Sequence, residues 1–368
     1  MAYFVKTESG GAFTPAKKTS VTAAAKNKTK KIAVDKATIK EFSLFTVFVA
    51  AAVLLAASGK GAEFALRGLK LWAAVVLPAL FPYFFVSAAL TRLGVTKRLA
   101  LKLSPVYEKV FKVSGVVSYA FFLSVISGYP VGAKIVSDLT KNGLLDRDEG
   151  LRAGVLCSTS SPSFLIAAVG SAAFNSVRFG IALFICHVIS AVCAGVIFSF
   201  YKRKNRRDFG SGANGKNAYK SRNNFPETEE TDNLLYECTY NSVVSVLVAG
   251  GVIVLFSVLT SLLDFYGVLN PFVAALTKLF GDDNTAKGVV FGIAECTGGI
   301  AVLAAAGVSE GTFALVAGIC GFGGLSVIAQ SLAYLSGAKI KAAPFFAAKL
   351  LTAALNVCFA LFIYRIFF

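Results

Sequence analysis

Two short stretches of this sequence decide its fold: Ser127-Gly128-Tyr129-Pro130-Val131-Gly132 and Glu295-Cys296-Thr297-Gly298-Gly299. Each lies inside an apolar segment long enough to enter a lipid bilayer, and each combines helix breakers with polar or ionisable side chains. Non-helical backbone is tolerated at membrane depth only where protein or a water-filled cavity covers it, and ionisable groups there usually serve a function. Because the two stretches occupy corresponding places in the two halves of the chain, they indicate a transporter-like architecture with a central polar site.

The composition is typical of an integral membrane protein. Hydrophobic residues make up 56% of the 368 residues, charged residues make up 15%, and the mean hydropathy is +0.68. Several apolar runs reach about 18 residues or more, which is long enough for a helix to cross the hydrocarbon core. We therefore predict an all-α polytopic membrane protein with two inverted repeats, each built from spanning helices, an interfacial helix and a broken or re-entrant helical hairpin.

The net charge of +17 is concentrated in a basic tail and in a second cluster at 202–207. Both flank apolar segments, which predicts that they lie on the cytoplasmic side of the cell membrane and attract anionic lipid. No DNA-reading motif accompanies the lysines, so we expect no nucleic-acid partner. The first apolar run begins near Phe42, too far along the chain for a usual signal peptide, and an organellar presequence is the alternative.

Residue patterns that carry out catalysis or hold metal ions are absent from the sequence. The seven cysteines include no CxxC pair, His187 is the single histidine, and no metal-ligand spacing occurs. The sequence also lacks a Walker A motif, a nucleophile elbow and paired carboxylates. We therefore expect no enzyme activity, no cofactor and no metal site.

The order of predicted elements repeats along the chain, although residue identity between the repeats is slight. Repeat 1 (70–201) and repeat 2 (239–368) each contain a span, an interfacial piece, a broken segment and two further spans. A basic tail (1–41), an extra span with its loop (42–69) and a polar linker (202–238) complete the domain organisation. The predicted spans are 42–57, 71–93, 153–174, 179–201, 242–263, 312–335 and 344–367.

Charge also indicates how the broken segments cross the membrane. With the basic tail inside, two crossings place the basic residues 92–112 inside, and the cluster at 202–207 also favours the inside. Three apolar segments lie between these regions, so both stay inside only if 113–139 enters the membrane and turns back. The same reasoning makes 287–306 a hairpin from the opposite side, which gives inverted repeats and seven crossings. If both segments are instead kinked spans, the chain crosses nine times.

The first broken segment offers four candidate binding residues at its break: Ser127, Gly128, Tyr129 and Pro130. Proline prevents a regular helix through the break. The helix that restarts there points backbone N–H groups at the gap, which suits an anionic or polar ligand. Lys134 follows about one turn later. It pairs with Asp138, faces a substrate, or extends toward the membrane surface.

The second broken segment and the polar stretches that follow both hairpins supply the other candidates. At the second break these are Glu295, Thr297, Gly298 and Gly299. The later stretches add Ser158, Ser160, Ser161, Ser326 and Gln330. The Glu295 carboxylate binds a cation, a proton or a sugar hydroxyl, or else is a structural acid, protonated or paired with Lys134 or Lys287. The hydroxyls line a polar cavity or hydrogen-bond helices together.

Two further polar residues within apolar spans are expected to be structural. His187 lies among apolar residues of the span 179–201, and we predict that it packs between helices rather than relaying protons. Lys349 lies one or two turns into the last span, close enough to its start for the side chain to extend toward the membrane surface. Neither residue is therefore a candidate for the binding site.

Four motifs together resemble the YlbJ-type sporulation integral membrane proteins, a group within the nucleoside-recognition, or Gate-domain, membrane proteins. These motifs are Leu-Pro-Ala-Leu-Phe-Pro at 77–82, Ser-Gly-Tyr-Pro-Val-Gly-Ala-Lys at 127–134, the serine-rich stretch at 158–162 and Glu-Cys-Thr-Gly-Gly at 295–299. The resemblance covers about residues 70–368. It implies a spore-forming bacterial source, a role in spore formation and a fold similar to the membrane part of ferrous-iron transporters and to concentrative nucleoside transporters. It names no substrate.

Two functions are consistent with these features. The first is a transporter or permease whose candidate residues bind a small polar solute, a nucleoside or an ion while one helix bundle moves against the other. The second is a structural or assembly membrane protein required for sporulation, with no transported substrate. The lipid bilayer is the expected partner in both, and formation of a homo-oligomer is left open.

Overall fold

The computed structural model describes residues 49–93, 95–202 and 233–368, and these residues form helices and no β-strand. The predicted tail 1–41 and nearly all of the linker 202–238 lie outside the described residues. The chain forms two compact units, Met1–Lys60 and Gly61–Phe368. The described part of the first unit contains helix α1 (Val49–Ser58), which overlaps the predicted first span and ends one residue beyond it.

The second unit is built from α-helices and three stretches of π-helix. Its first half contains α2 (Gly61–Leu71), π1 (Trp72–Val76), α3 (Leu77–Arg92), α4 (Val95–Val106), π2 (Tyr107–Phe111), α5 (Val117–Ser127), α6 (Tyr129–Lys141), α7 (Arg147–Leu156), π3 (Ser163–Ala173) and α8 (Val177–Phe198). Its second half contains α9 (Leu234–Phe265), α10 (Asn270–Phe280), α11 (Asp283–Ala294), α12 (Cys296–Ala304), α13 (Glu310–Phe322), α14 (Gly324–Gly337) and α15 (Ala342–Phe367).

Four helices in the described part of the chain are long and apolar enough to cross a membrane. They are Val177–Phe198, Leu234–Phe265, Glu310–Gly337 (which joins α13 to α14) and Ala342–Phe367. Together with the all-helical architecture, they confirm the predicted class of all-α polytopic membrane protein. The inversion of the repeats and the number of crossings stay predictions.

The first broken segment has the break that the sequence predicts. Helix α5 ends at Ser127, and Gly128 adopts a φ of 92°, a conformation that favours glycine. A Cβ atom on Gly132 would lie 2.6 Å from the Ser124 hydroxyl oxygen. In one straight helix these two residues would be about 12 Å apart along the axis. Helix α6 therefore turns back onto α5, and the two form a hairpin.

The second broken segment forms a hairpin that is packed more closely still. Helix α11 ends at Ala294, and α12 begins at Cys296. A Cβ atom on Gly299 would lie 2.2 Å from Gly292 Cα and 2.5 Å from the Gly288 carbonyl oxygen. Two backbones can approach this closely only where neither residue carries a side chain. Glycines on both helices thus make the hairpin possible.

Two segments predicted as continuous spans, 153–174 and 312–335, contain a break in the regular helix, although the second keeps the length and apolar character of one candidate span. The first is broken between Leu156 and Ser163, where hydroxyl-bearing residues and a proline replace the apolar pattern. The second is broken at Gly323 and Gly324, with φ values of 84° and 75°. Each repeat therefore contains two helix breaks rather than one.

The other predicted elements differ from the structure in their boundaries. Pro78 and Pro82 lie in a helix that runs from Gly61 to Arg92, and π1 widens it two residues before Pro78. A π turn shifts the backbone hydrogen-bonding pattern, as expected beside a residue without an N–H group. Helix α9 begins at Leu234, eight residues before the predicted start of its span, and α10 occupies the place of the interfacial piece predicted for repeat 2.

Two buried apolar clusters hold the helix breaks in place. One packs α5, α6 and α7 against the end of α14 and the start of α15. The other packs π3 and α8 against α12, α13 and the far part of α15. Because α8 and α15 contribute to both clusters, they connect the two repeats. The break at 157–162 connects them, since Cys157 belongs to the first cluster and Leu165 to the second.

Candidate functional site

The helix breaks surround a cavity of about 770 Å³. Six of its lining residues come from the predicted candidates of repeat 1: Ser127, Gly128, Tyr129, Lys134, Ser160 and Ser161. Four come from those of repeat 2: Glu295, Thr297, Ser326 and Gln330. Residues from α3 and α9 close the cavity on its other side. Candidates that are far apart in sequence are therefore brought together in one space.

Three candidates, Ser158, Gly298 and Gly299, do not line this cavity. Ser158 is buried, and its hydroxyl has no hydrogen-bond partner among the described residues. Gly298 and Gly299 belong to the first turn of α12, where Gly299 forms the close packing of the second hairpin. Pro130 occupies the first turn of α6, a position that proline favours because no intrahelical N–H bond is lost there.

The cavity extends along its helices from an inner end to an outer end. We define the inner end by Tyr129, Ser160 and Glu295, which adjoin the breaks. The outer end is marked by Arg92 and Asn142, the latter about 20 Å along α6 from Tyr129. The inner end is therefore deep within the helical unit.

Glu295 caps the helix that it precedes. Its carboxylate accepts hydrogen bonds from the backbone N–H groups of Thr297 at 3.0 Å and Gly298 at 2.7 Å, and only 4% of the residue is exposed. The N-terminus of α12 thus stabilises this buried charge. Lys287, predicted as a partner for Glu295, instead forms an ion pair with Asp264 at 2.8 Å. Glu295 therefore has a structural role while it also lines the cavity.

Helix α6 begins without such a cap. Its N-cap residue is Gly128, which has no side chain that could accept a hydrogen bond from the first turn. Gly128 also faces Ser161, since a Cβ atom on Gly128 would lie 3.5 Å from the Ser161 backbone nitrogen. The two hairpins therefore present different helix N-termini to the same cavity. The N-terminus of α12 is capped by the Glu295 carboxylate, whereas the N-cap residue of α6 is a glycine.

Lys134 and Asp138 both line the cavity and are both exposed to it. They lie four residues apart on α6, but the structure, which describes both side chains, shows no ion pair between them. The interpretation of Lys134 as the partner of Asp138 is therefore wrong. A side chain that faces the cavity is available to a solute.

His187 is buried beside the inner end of the cavity, in keeping with its predicted role as a residue that packs between helices. Its Nε2 atom accepts a hydrogen bond of 2.8 Å from the Ser160 backbone N–H, so the ring proton is assigned to Nδ1. The ring meets that of Tyr129 edge to face at 5.9 Å. The Tyr129 hydroxyl donates a hydrogen bond to the Cys320 carbonyl oxygen. Tyr129 thus joins the two repeats, and His187 packs against it within repeat 1.

Lys349 is the residue that sequence reasoning missed. Its side chain was expected to extend toward the membrane surface, but only 2% of the residue is exposed. Its Nζ atom lies 4.4 Å from the centre of the Tyr129 ring and has no hydrogen-bond partner among the described residues. The available signal was a polar stripe: Lys349, Thr352 and Asn356 recur at helical spacing and are all buried.

The outer end of the cavity carries an ion pair. Arg92, at the end of α3, lies 3.5 Å from Glu237 near the start of α9, and both side chains are partly exposed. Asn241 lies one turn further along α9 and also lines the cavity. The ion pair therefore joins two helices that form opposite sides of the outer end.

Comparisons with known proteins support one assignment. No family model and no solved structure matches the chain. The chain is 29% identical over 311 residues to the sporulation integral membrane protein YlbJ of Bacillus subtilis, and this alignment covers 81% of the chain and 76% of that protein. The Gate domain stays a prediction. The match confirms the resemblance carried by the four motifs, and the chain is similar to the YlbJ-type sporulation integral membrane proteins.

Proposed function

We propose that this protein is a transporter or permease that moves a small polar solute or ion across a cell membrane during spore formation. The observation that carries the proposal is the convergence of three helix breaks, at Gly128, 157–162 and Glu295, on one cavity of about 770 Å³. Discontinuous helices that surround a central cavity are the usual site architecture of secondary transporters. A cavity of this volume accommodates a small molecule.

The mechanism follows from the arrangement of the breaks. The solute enters from the outer end and binds between the hairpin tips, where hydroxyl groups such as those of Ser127, Ser160 and Thr297 replace its hydration shell. The hairpins then move against α3 and α9, which closes the outer end and opens the opposite side. No step forms or breaks a covalent bond, so the protein acts as a carrier and not as an enzyme.

The role in sporulation rests on the relative, which is named a sporulation integral membrane protein. A second function, that of a structural or assembly protein of the developing spore, is favoured by the capping role of Glu295. That carboxylate is engaged by two backbone N–H groups and thereby stabilises a hairpin. In this alternative the polar breaks hold helices together and nothing passes through the cavity.

Filling the cavity separates the two functions. Ser245 on α9 lines the cavity, whereas Val243 on the same helix is exposed and does not. Ser245→Trp places an indole ring in the solute path and should abolish function without disturbing a helix break. We expect the unaltered chain to restore spore yield in Bacillus subtilis lacking YlbJ, and Ser245→Trp to fail.

Val243→Trp is the matched control because it adds the same ring to the same helix on a surface that faces away from the cavity. It should restore spore yield fully, and both variants should reach the membrane at equal levels by immunoblot. Full spore yield with Ser245→Trp would contradict passage through the cavity and favour the structural function.

A further inference from the structure

Arg152 connects two basic parts of the chain that are distant in sequence. Its side chain is buried and donates hydrogen bonds to the carbonyl oxygens of Tyr201 at 3.1 Å and Lys112 at 3.5 Å. Lys112 ends the basic segment 92–112, and Tyr201 directly precedes the basic cluster at 202–207. The last residue of the segment and the first residue of the cluster therefore lie at one end of the helical unit, which we call the Arg152 end.

Helices of both repeats end at the Arg152 end. A Cβ atom on Gly150 would lie 2.5 Å from the Thr140 hydroxyl oxygen and 3.0 Å from the Ile340 side chain. A Cβ atom on Gly337 would lie 3.2 Å from the Lys141 Nζ atom. The end of α6, the start of α7 and the junction of α14 with α15 therefore meet here. They bring together the exposed cations Lys109, Lys141, Arg147, Lys202, Lys339 and Lys341.

The opposite end of the helical unit is about 33 Å away, the length of the 22-residue helix α8. The connections 173–177 and 305–309 lie there, and they contain no lysine or arginine. Several cations at that end form ion pairs with carboxylates: Arg67 with Glu63, Lys287 with Asp264, and Arg365 with Glu310. Positive charge is therefore concentrated at the Arg152 end.

The cavity opens at the Arg152 end. Asn142, which marks its outer end, directly follows Lys141. The side chains with which α6 lines the cavity become more exposed in this direction, since Tyr129 is buried whereas Lys134 and Asp138 are exposed. A solute at the Arg152 end can therefore enter the cavity.

The cavity is closed toward the opposite end. Both π3 and α12 begin beside the cavity and run toward that end through the second apolar cluster. The Phe179 ring packs against those of Phe174 at 4.2 Å and Phe313 at 4.9 Å, and Phe179 and Phe313 are fully buried. These aromatic rings, from α8 and α13, separate the inner end of the cavity from the connections 173–177 and 305–309.

We propose that the Arg152 end faces the cytoplasm, so that the cavity is open to the cytoplasm and closed to the other side of the membrane. Lysine and arginine next to membrane spans are retained on the cytoplasmic side, which sets the orientation. The first hairpin then enters the membrane from the cytoplasm, and the second enters from the opposite side. This inference goes beyond the proposed function and does not rest on it, because a structural protein has an orientation too. For a transporter, it makes the cytoplasm the compartment from which this conformation binds its solute.

Cysteine labelling tests the orientation. Four variants of the full chain each gain one cysteine at an exposed position: Asn142→Cys and Lys341→Cys at the Arg152 end, and Val177→Cys and Ala306→Cys at the opposite end. A membrane-impermeant maleimide is added to intact bacterial cells and to inside-out membrane vesicles, and the unaltered chain gives the background from its own cysteines. We expect Val177→Cys and Ala306→Cys to react in intact cells, and Asn142→Cys and Lys341→Cys to react only in the vesicles.

A cysteine inside the cavity tests the open side. Ser245→Cys changes one atom of a cavity-lining residue on α9 and should react in inside-out vesicles but not in intact cells. Leu247→Cys is the matched control, because it lies two positions away on an exposed apolar surface that does not line the cavity. It should react in neither preparation, since the thiol would lie in lipid rather than in water.

Each possible result decides one part of the inference. If Lys341→Cys or Asn142→Cys reacts in intact cells, the orientation is wrong. If these two react only in vesicles but Ser245→Cys reacts in intact cells, the orientation is right and the open side of the cavity is wrong. Two positions at each end keep the test decisive if one variant fails to fold. Transport itself is tested separately by the spore yield of Ser245→Trp, so the two proposals can fail independently.

Discussion

Gly299→Ala is expected to lower the free energy of unfolding by about 3 kcal/mol, at the upper end of the cost of overpacking a protein interior. The added Cβ atom would lie 2.2 Å from both the Cα and the backbone nitrogen of Gly292. Backbone atoms cannot move aside as a flexible side chain can, so α11 and α12 must separate. Thermal unfolding of the purified variant in detergent measures the effect.

Gly298→Ala provides a control one residue away. Its Cβ atom would meet only the Glu295 Oε2 atom, at an ordinary contact distance of 3.4 Å. Alanine also favours a helix more than glycine does, so we expect a change of less than about 1 kcal/mol in either direction. Equal losses of stability in the two variants would contradict the close approach of α11 and α12.

Glu295→Ala is expected to destabilise the protein by about 3 kcal/mol. The substitution leaves the buried N–H group of Thr297 and the partly buried N–H group of Gly298 without an acceptor, and each unsatisfied group costs about 1–3 kcal/mol. Glu295→Gln keeps one acceptor oxygen and should lose less. The measurement is thermal unfolding of both variants, together with spore yield.

Ser309→Ala removes a helix cap at an exposed helix start and provides the reference cost against which Glu295→Ala is compared. The Ser309 hydroxyl caps α13 by accepting a hydrogen bond from the Thr312 N–H group, and its removal should cost about 1 kcal/mol, the typical value for a cap. Glu295→Ala should exceed this cost because its N–H partners are shielded from water. If Glu295→Ala costs no more than Ser309→Ala, the Glu295 cap contributes little to the fold.

Local sequence features predict the two hairpin breaks because local chemistry causes them. Gly128 adopts a positive φ that other residues avoid, and Pro130 cannot continue a helix from the preceding turn. At the second break, Glu295 caps the helix that follows it. Each of these residues acts on backbone within four positions of itself, so its effect can be recognised from the sequence without knowledge of the fold. The same holds for α10, which begins with Asn270 and Pro271 and ends before Gly281.

The features that sequence reasoning missed depend on contacts between distant segments. Lys349 is buried because Tyr129, 220 positions earlier in the numbering, covers it. The break at 157–162 is stabilised because the His187 Nε2 atom accepts a hydrogen bond from the Ser160 backbone N–H group, 27 positions earlier in the sequence. Neither pairing can be recognised from neighbouring residues in the sequence. Hydrophobicity alone predicts a continuous span at 153–174 and places Lys349 at the membrane surface. Sequence reasoning thus predicted the break residues of the candidate site and missed the buried Lys349 beside Tyr129.

The partly exposed ion pair between Arg92 and Glu237 has a consequence for kinetics. An ion pair with this exposure contributes about 0–1 kcal/mol, which is comparable to thermal energy at room temperature. This contact therefore opens and closes quickly and cannot limit the turnover of a carrier. The tightly packed glycine backbones of the second hairpin resist motion far more strongly. Under the proposed transport mechanism, a solute at the Arg92 end of the cavity should reach a rapid pre-equilibrium with the cavity, and the rate-determining step should be movement of the hairpins as rigid bodies.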